Sequence, residues 1–80
     1  MDRKDIMNNV QQIFRDIFDD ETLMINEETN ANDIDDWDSF EQINLLVSIE
    51  GCFNIKFDIT EVSDLKNVAS MIDLIERKIG

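Results

Sequence analysis

Apolar residues recur at helical spacing in several stretches of this chain. In the first stretch they are separated by four, three and four positions: Ile6, Val10, Ile13 and Ile17. That spacing places them on one face of an amphipathic helix. Asp2 and Asp5 favour the positive end of its dipole, and Asp19-Asp20 is expected to end it.

A second helix is expected from Ser39 to about Gly51. Asp38 and Glu41 stand three residues apart, directly before an apolar run, in the acidic form of a capping box. The run has apolar residues on two sides of the helix, Ile43 and Val47 on one and Leu45 and Ile49 on another. We therefore expect part of its apolar surface to face outward.

The C-terminal third predicts a connector and two further helices. Residues 53–57 alternate apolar and polar like a strand, but no partner strand is evident, so they are expected to form an extended connector docking Phe53, Ile55 and Phe57. Asp58 and Glu61 repeat the acidic capping box and predict a short helix III through Val62 and Leu65. Asn67 is expected to cap the last helix, whose apolar residues keep helical spacing: Val68, Ile72, Ile75 and Ile79.

Residues 19–38 predict a long ordered loop rich in Asn, Asp, Glu and Thr. Its irregularly spaced apolar residues are expected to pin it across the helices: Leu23, Met24, Ile25, Ile34 and Trp37. The predicted fold is therefore all-α. It is a small bundle of three longer helices and a short helix III, with a long first loop, in a single domain over residues 1–80.

Charge and cysteine content narrow the function classes. The 80 residues carry a net charge of −12, and residues 16–55 contain no Lys or Arg. The electric field of these charges repels nucleic acid and anionic membranes and favours encounters with basic protein surfaces. From charge alone, however, a solvated acidic face that confers solubility is the preferred explanation. The one cysteine, Cys52, excludes an internal disulfide and is expected to be a bystander. With no signal peptide or membrane span recognised, we expect a cytoplasmic protein.

The most informative chemistry is the hydroxyl of Ser39 within Trp37-Asp38-Ser39-Phe40. At a helix N-terminus, free N–H groups and the helix dipole favour a covalently attached phosphate. The chain has no histidine to make this serine a hydrolytic nucleophile. On local sequence alone, Asp or Ser as an ordinary N-cap is the default explanation of the motif, and the arrangement of the whole chain favours the attachment site instead. The nearby aspartates fail the EF-hand pattern, because Trp37 takes a ligand position and the turn lacks glycine, so no metal site is expected.

These features together resemble the acyl carrier protein family, over essentially all 80 residues. The centre of the resemblance is Asp38-Ser39-Phe40, where the family usually has Asp-Ser-Leu. It continues at the family's intervals through Ile43, Leu45, Leu46, Glu50, Phe53, Ile55, Leu65 and Val68. The resemblance implies that Ser39 accepts 4′-phosphopantetheine from coenzyme A through a separate Mg-dependent phosphopantetheinyl transferase. The arm would then carry an acyl or aminoacyl group as a thioester, and the carrier itself would not be an enzyme.

The resemblance also implies a partner-facing surface made of Asp38, Glu41, Leu46, Val47, Glu50, Ile59 and Glu61. For Leu46 and Val47, core packing is an equally good explanation, and for Glu41 capping alone would suffice. The implied partners of this monomeric carrier are the transferase, a loading ligase and downstream transferases or synthases.

Trp37 resembles stand-alone carriers of specialised pathways more than the housekeeping fatty acid carrier, which favours polyketide, peptide or other specialised acyl intermediates as cargo. Two alternatives stay open. One is an aminoacyl carrier, such as a D-alanyl carrier. The other is an unmodified acidic adaptor that binds a basic protein through charge and the outer face of helix II.

Overall fold

The computed structural model describes residues 2–63, 65 and 67–79, which form four helices joined by irregular segments. The helices are α1 (Arg3–Ile17), α2 (Ser39–Phe53), α3 (Ile59–Val62) and α4 (Val68–Ile79). α1 packs against both α2 and α4, and the described residues contain no strand. The predicted all-α bundle with a short third helix and a long first loop is confirmed. No helix in the described part of the chain is both long and apolar enough to cross a membrane.

The centre of the core is the stripe on α1. Ile6, Val10 and Phe14 are fully buried, while Ile13 and Ile17 lie half-buried at its edge. Three buried positions at intervals of four follow the 3.6-residue turn of a helix, which keeps them on one face. α1 ends where predicted, and Asp19 follows with a φ of 52°, a left-handed conformation that aspartate tolerates better than most residues.

α2 is longer than the sequence predicted. The expected end near Gly51 is wrong, because the helix continues to Phe53, which therefore does not belong to the connector. Asn54 ends the helix with a φ of 56°, and the N–H of Ile55 donates to the carbonyl of Glu50 over 3.1 Å. Asparagine can adopt this left-handed cap and thereby substitutes for the glycine that usually ends a helix.

The long loop is held against α4 by its backbone. The carbonyls of Glu27 and Thr29 each accept a hydrogen bond of 2.9 Å, from the N–H groups of Ala69 and Val68 respectively. These bonds satisfy first-turn donors of α4 that have no partner within the helix. The guanidinium of Arg3 adds a second link, since it binds the carboxylates of Glu27, Asp73 and Glu76.

The apolar residues of the loop behave as predicted with one exception. Ile25 and Trp37 are buried, and Leu23 and Ile34 pack half-buried on the core. Met24, by contrast, is 74% exposed, so its predicted role in pinning the loop is wrong. Met24 lies between two inward-facing neighbours in an extended segment, where adjacent side chains point in opposite directions.

α3 is a single turn attached mainly through polar contacts. It ends at Val62, so the predicted extension through Leu65 is wrong. None of its residues is fully buried. The N–H of Asp58 donates to Oε1 of Glu61 over 2.8 Å, as the predicted capping box requires, and Lys78 of α4 forms an ion pair with the same oxygen. The capping box lies within the α3 turn itself, so of these two contacts the Lys78 ion pair is the one that links α3 to α4.

Candidate functional site

Ser39 is the first residue of α2, and its side chain is exposed. The carboxylate of Asp38 caps the helix by accepting the N–H of Glu41 over 2.9 Å. Among the described residues, neither the hydroxyl of Ser39 nor the N–H groups of Ser39 and Phe40 have a hydrogen-bond partner. The site therefore offers an accessible hydroxyl next to free donors at the positive end of a 15-residue helix.

Only half of the predicted capping box forms at this end of α2. The side chain of Glu41 accepts a hydrogen bond of 2.7 Å from Nδ2 of Asn44 instead of reaching back to Asp38. Capping by Asp38 alone thus orders the first turn. The side chain of Glu41 stays on the helix surface, and its predicted role in capping is wrong.

Trp37 fixes the position of the loop just before Ser39. Its ring is buried and meets Phe14 edge-on, with ring centroids 5.1 Å apart and an interplanar angle of 86°. The indole Nε1–H donates to Oε1 of Gln42 over 2.7 Å. Buried tryptophan usually finds such an acceptor, and the edge-on geometry suits the aromatic quadrupoles. The core of α1 and the first turn of α2 thus hold the chain two residues before Ser39.

An open cleft of about 530 Å³ lies beside Ser39. The long loop, α2, α3 and the start of α4 contribute its lining: Ala31, Trp37, Asp38, Ser39, Gln42, Ile43, Val62, Leu65, Asn67 and Met71. Its volume falls within the range of small-molecule sites, and its mixture of apolar side chains and a few polar groups is typical of them. A group attached to Ser39 would have this cleft within immediate reach.

Asn67 places one of the polar groups of the cleft. Its Oδ1 accepts the N–H of Ser70 over 2.9 Å, which confirms the prediction that Asn67 caps α4. The oxygen of its carboxamide therefore faces the helix. Gln42 and Asn67 were not predicted as site residues, because their convergence depends on how α2 and α4 pack.

Next to Ser39 lies an exposed apolar surface, here called the outer face. Its members and their exposed fractions are Phe40 at 72%, Ile43 at 61%, Val47 at 60% and Ile59 at 86%. The first three stand three and four residues apart, which aligns them along α2. The prediction that α2 presents apolar surface outward is confirmed. Core packing does not account for Val47, while Leu46 is half-buried and lines the groove between α2 and α3.

Phe40 and Ile43 extend this surface beyond the residues predicted for it. A signal for both was present in the sequence, since they share the helical spacing of Val47.

The predicted acidic residues around this surface differ in their surroundings. Asp38 and Glu41 stand in the first turn of α2. Oε2 of Glu50, in contrast, accepts the N–H of Phe57 over 2.8 Å and so ties the connector to α2. The hydrogen bond from Lys78, assisted by that of the Asp58 N–H, holds the pKa of Glu61 below its ordinary value. Glu50 and Glu61 thus already have intramolecular partners.

Comparisons with known proteins converge on one family. A family model described as "Phosphopantetheine attachment site" matches residues 8–75. The solution structure of a holo acyl carrier protein from Geobacter metallireducens is similar to this chain, with a TM-score of 0.86 and 43% sequence identity. That similarity covers 92% of this chain and 85% of the other. Among curated proteins, no match was found.

Proposed function

The chain belongs to the acyl carrier protein family, and we propose that Ser39 is the residue to which 4′-phosphopantetheine is attached. Membership makes the protein a carrier with a covalent phosphopantetheine arm, not an enzyme. The observation that carries the assignment to Ser39 is its exposed, unpaired hydroxyl at the start of α2, beside the cleft. The phosphodiester formed there would meet the free N–H groups of the first turn.

The residues around Ser39 fit a covalently attached 4′-phosphopantetheine. Asp38 caps the first turn of α2 through the N–H of Glu41, so the N–H groups of Ser39 and Phe40 would remain available to an attached phosphate. The thiol at the end of the arm carries the acyl group as a thioester. The long arm lets successive enzymes meet the same tethered group at raised effective concentration.

The proposed partner surface consists of Asp38, Glu41, Leu46, Val47, Glu50, Ile59 and Glu61, to which we add Phe40 and Ile43. An exposed apolar centre with a polar rim is typical of protein interfaces. The centre here is the outer face, and the acidic rim calls for partners with basic rims. Such partners are a phosphopantetheinyl transferase, a loading ligase and the enzymes that use the cargo.

We propose further that residues 1–80 act as one monomeric, cytoplasmic carrier domain. Its cargo is an acyl intermediate of a specialised pathway, fatty acid-like or polyketide. The large buried Trp37 beside the attachment residue supports a specialised pathway, through the resemblance noted in the sequence. Incubation with candidate loading ligases and a panel of acyl and aminoacyl substrates tests this choice. Preferential aminoacylation would favour the D-alanyl or peptidyl carrier instead.

An intact-mass measurement tests the attachment residue. The protein is incubated with coenzyme A, Mg²⁺ and a broad-specificity phosphopantetheinyl transferase, beside the variants Ser39→Ala and Ser63→Ala. Ser63 is a matched control, because it is also an exposed serine next to a helix end, but its hydroxyl donates to the carbonyl of Thr60. We expect one phosphopantetheinyl group on the wild type and on Ser63→Ala, and none on Ser39→Ala. Modification of Ser39→Ala would overturn the assignment, and no modification of any variant beside an active reference carrier would favour the unmodified adaptor.

A further inference from the structure

We propose that the carboxamides of Gln42 and Asn67 act as a pair of hydrogen-bond donors in the cleft, selecting a tethered ligand segment with neutral carbonyl or hydroxyl oxygens. This inference rests on the proposed function, because the ligand reaches the cleft from Ser39. It assigns a specificity role to two residues that stand 25 positions apart in the sequence.

The orientation of Gln42 follows from its partner. The indole N–H of Trp37 can only donate, so the atom of Gln42 that lies 2.7 Å away must be the carbonyl oxygen. The NH₂ group of Gln42 is then the free end of the carboxamide. Trp37 is buried and packed on Phe14, which makes this orientation a fixed property of the core.

The same argument applies to Asn67. A backbone N–H, that of Ser70, donates to its Oδ1 over 2.9 Å, so its NH₂ group is also the free end. Both residues line the cleft beside Ser39. Neither NH₂ group has a hydrogen-bond partner among the described residues, and no described side-chain nitrogen or oxygen is both buried and unpaired. Both NH₂ groups therefore keep access to solvent, on two residues that line the cleft.

This arrangement discriminates between ligands by hydrogen bonding. The cleft has an apolar lining, which accepts both a saturated and an oxygenated hydrocarbon chain. Its apolar residues are Ala31, Ile43, Val62, Leu65 and Met71. A fully saturated chain, however, would cover two donors without giving them acceptors, and an unpaired polar group costs more than a hydrogen bond gains. Asp38 also lines the cleft, and its negative charge disfavours a further anionic group beyond the phosphodiester on Ser39, so the favoured oxygens are neutral.

Two ligand segments offer such oxygens, the amides of the pantetheine arm itself and an oxygenated acyl group such as a 3-oxoacyl chain. Side-chain amide resonances of ¹⁵N-labelled protein separate the two sources. We compare the apo protein, the holo protein, its octanoyl form and its 3-oxooctanoyl form, each verified by intact mass. The reference is the exposed Asn8, whose side chain has no hydrogen-bond partner among the described residues. A downfield shift of the Gln42 and Asn67 amide protons already in the holo form identifies the arm, and one that appears only with the 3-oxo cargo identifies the acyl group. No shift relative to Asn8 in the holo form or in either loaded form overturns the inference.

Isosteric variants provide a functional readout. Gln42→Glu and Asn67→Asp keep an oxygen acceptor for Trp37 and for the Ser70 N–H but remove the donors. Asn8→Asp adds the same charge at an exposed position without a hydrogen-bond partner among the described residues and serves as the control. Cleavage of the 3-oxooctanoyl thioester by an added small thiol should accelerate about fivefold in each donor variant, the factor that one net hydrogen bond contributes. If the arm is the ligand, the cleavage rate of the octanoyl thioester should rise by the same factor. If the acyl group is the ligand, the cleavage rate of the octanoyl thioester should hardly change.

The inference is overturned if, for both cargoes, the thioesters of the donor variants are cleaved at the same rate as that of the charge control. The carrier function would then still stand. A wild type that gains no phosphopantetheinyl group would overturn the proposed function, and the inference with it. The mass spectrum that precedes each measurement distinguishes the two failures.

Discussion

The ammonium group of Lys78 lies 2.8 Å from Oε1 of Glu61, so the last turn of α4 is tied to the single turn of α3. This turn has no fully buried residue, and its position depends on such polar contacts. Each of the two side chains is 27% exposed. Water and salt therefore screen this ion pair less than they would screen a fully exposed one. Because Glu61 belongs to the proposed partner surface, the pair also sets the geometry that a partner meets.

The Glu61–Lys78 pair predicts a specific pH dependence of stability. The pKa of Glu61 is lowered from its ordinary value of 4.5, so its contribution is present above that pH and is lost as the pH falls through the folded-state pKa. Lys78→Met should therefore lower the thermal midpoint at neutral pH, and the difference from wild type should shrink in acid. Circular dichroism melts at several pH values measure this. Lys4→Met controls for the general loss of a positive charge, and an equal pH profile in the two variants would contradict the prediction.

Gly51 is expected to be replaceable with a gain in stability. It lies within α2, no atom lies within 4 Å of the position its Cβ would take, and its φ is not positive. Gly51→Ala should stabilise the fold by about 0.5–1 kcal/mol, because alanine loses less backbone entropy in a helix. Asn54→Ala, at a φ of 56°, should instead cost about 1–2 kcal/mol. Urea unfolding measures both, and destabilisation by Gly51→Ala would show that the helix ends earlier.

Phe14 and Phe40 should respond in opposite ways to truncation. Phe14 is fully buried beside Trp37, so Phe14→Ala should cost about 3–5 kcal/mol. That loss is a large part of the total stability expected for a domain of this size, roughly 4–12 kcal/mol. Phe40 is 72% exposed, and Phe40→Ala should change stability by less than about 0.5 kcal/mol. Urea unfolding followed by circular dichroism tests the contrast, and similar losses for the two variants would contradict it.

Two substitutions of Asp38 should separate the stability that its capping hydrogen bond contributes from the stability that its negative charge contributes. Asp38→Ala removes the acceptor of the Glu41 N–H and should cost about 1 kcal/mol, whereas Asp38→Asn keeps an acceptor and should stay within about 0.5 kcal/mol of wild type. Unfolding in urea gives both values. If the two variants lose equal stability, the carboxylate charge and not the hydrogen bond supports the helix end.

The outer face should matter for partners and not for folding. Val47→Ala and Ile59→Ala should each lower kcat/KM for phosphopantetheinyl transfer about tenfold, as expected for residues at the centre of an interface. Their thermal midpoints should hardly change, since both side chains are mostly exposed. Met24→Ala is the matched control, because Met24 is an equally exposed apolar residue on the long loop. Similar rate losses in all three variants would remove the outer face from the transferase interface.

Local sequence determined most of the helical architecture. The spacing of apolar residues located α1 and α4, because three or four buried side chains on one face require nothing beyond the 3.6-residue period. Asp38 and Asn67 marked the starts of α2 and α4, because a capping side chain bonds to a backbone group only three residues away. For the same reason Ser39 could be recognised at a helix N-terminus from the sequence alone.

Only the tertiary structure decided the features that depend on distant partners. α2 runs past Gly51 because Asn54 takes up the left-handed cap, and α3 stops at Val62, where polar contacts with neighbouring segments take the place of a buried face. Met24 is exposed while Leu23 is half-buried and Ile25 is buried, which spacing in an irregular loop could not predict. Gln42 and Asn67 line one cleft only because α2, α4 and the long loop pack together. Periodicity and capping act within a few residues, whereas a cleft is made by side chains that the packing of the whole chain brings together.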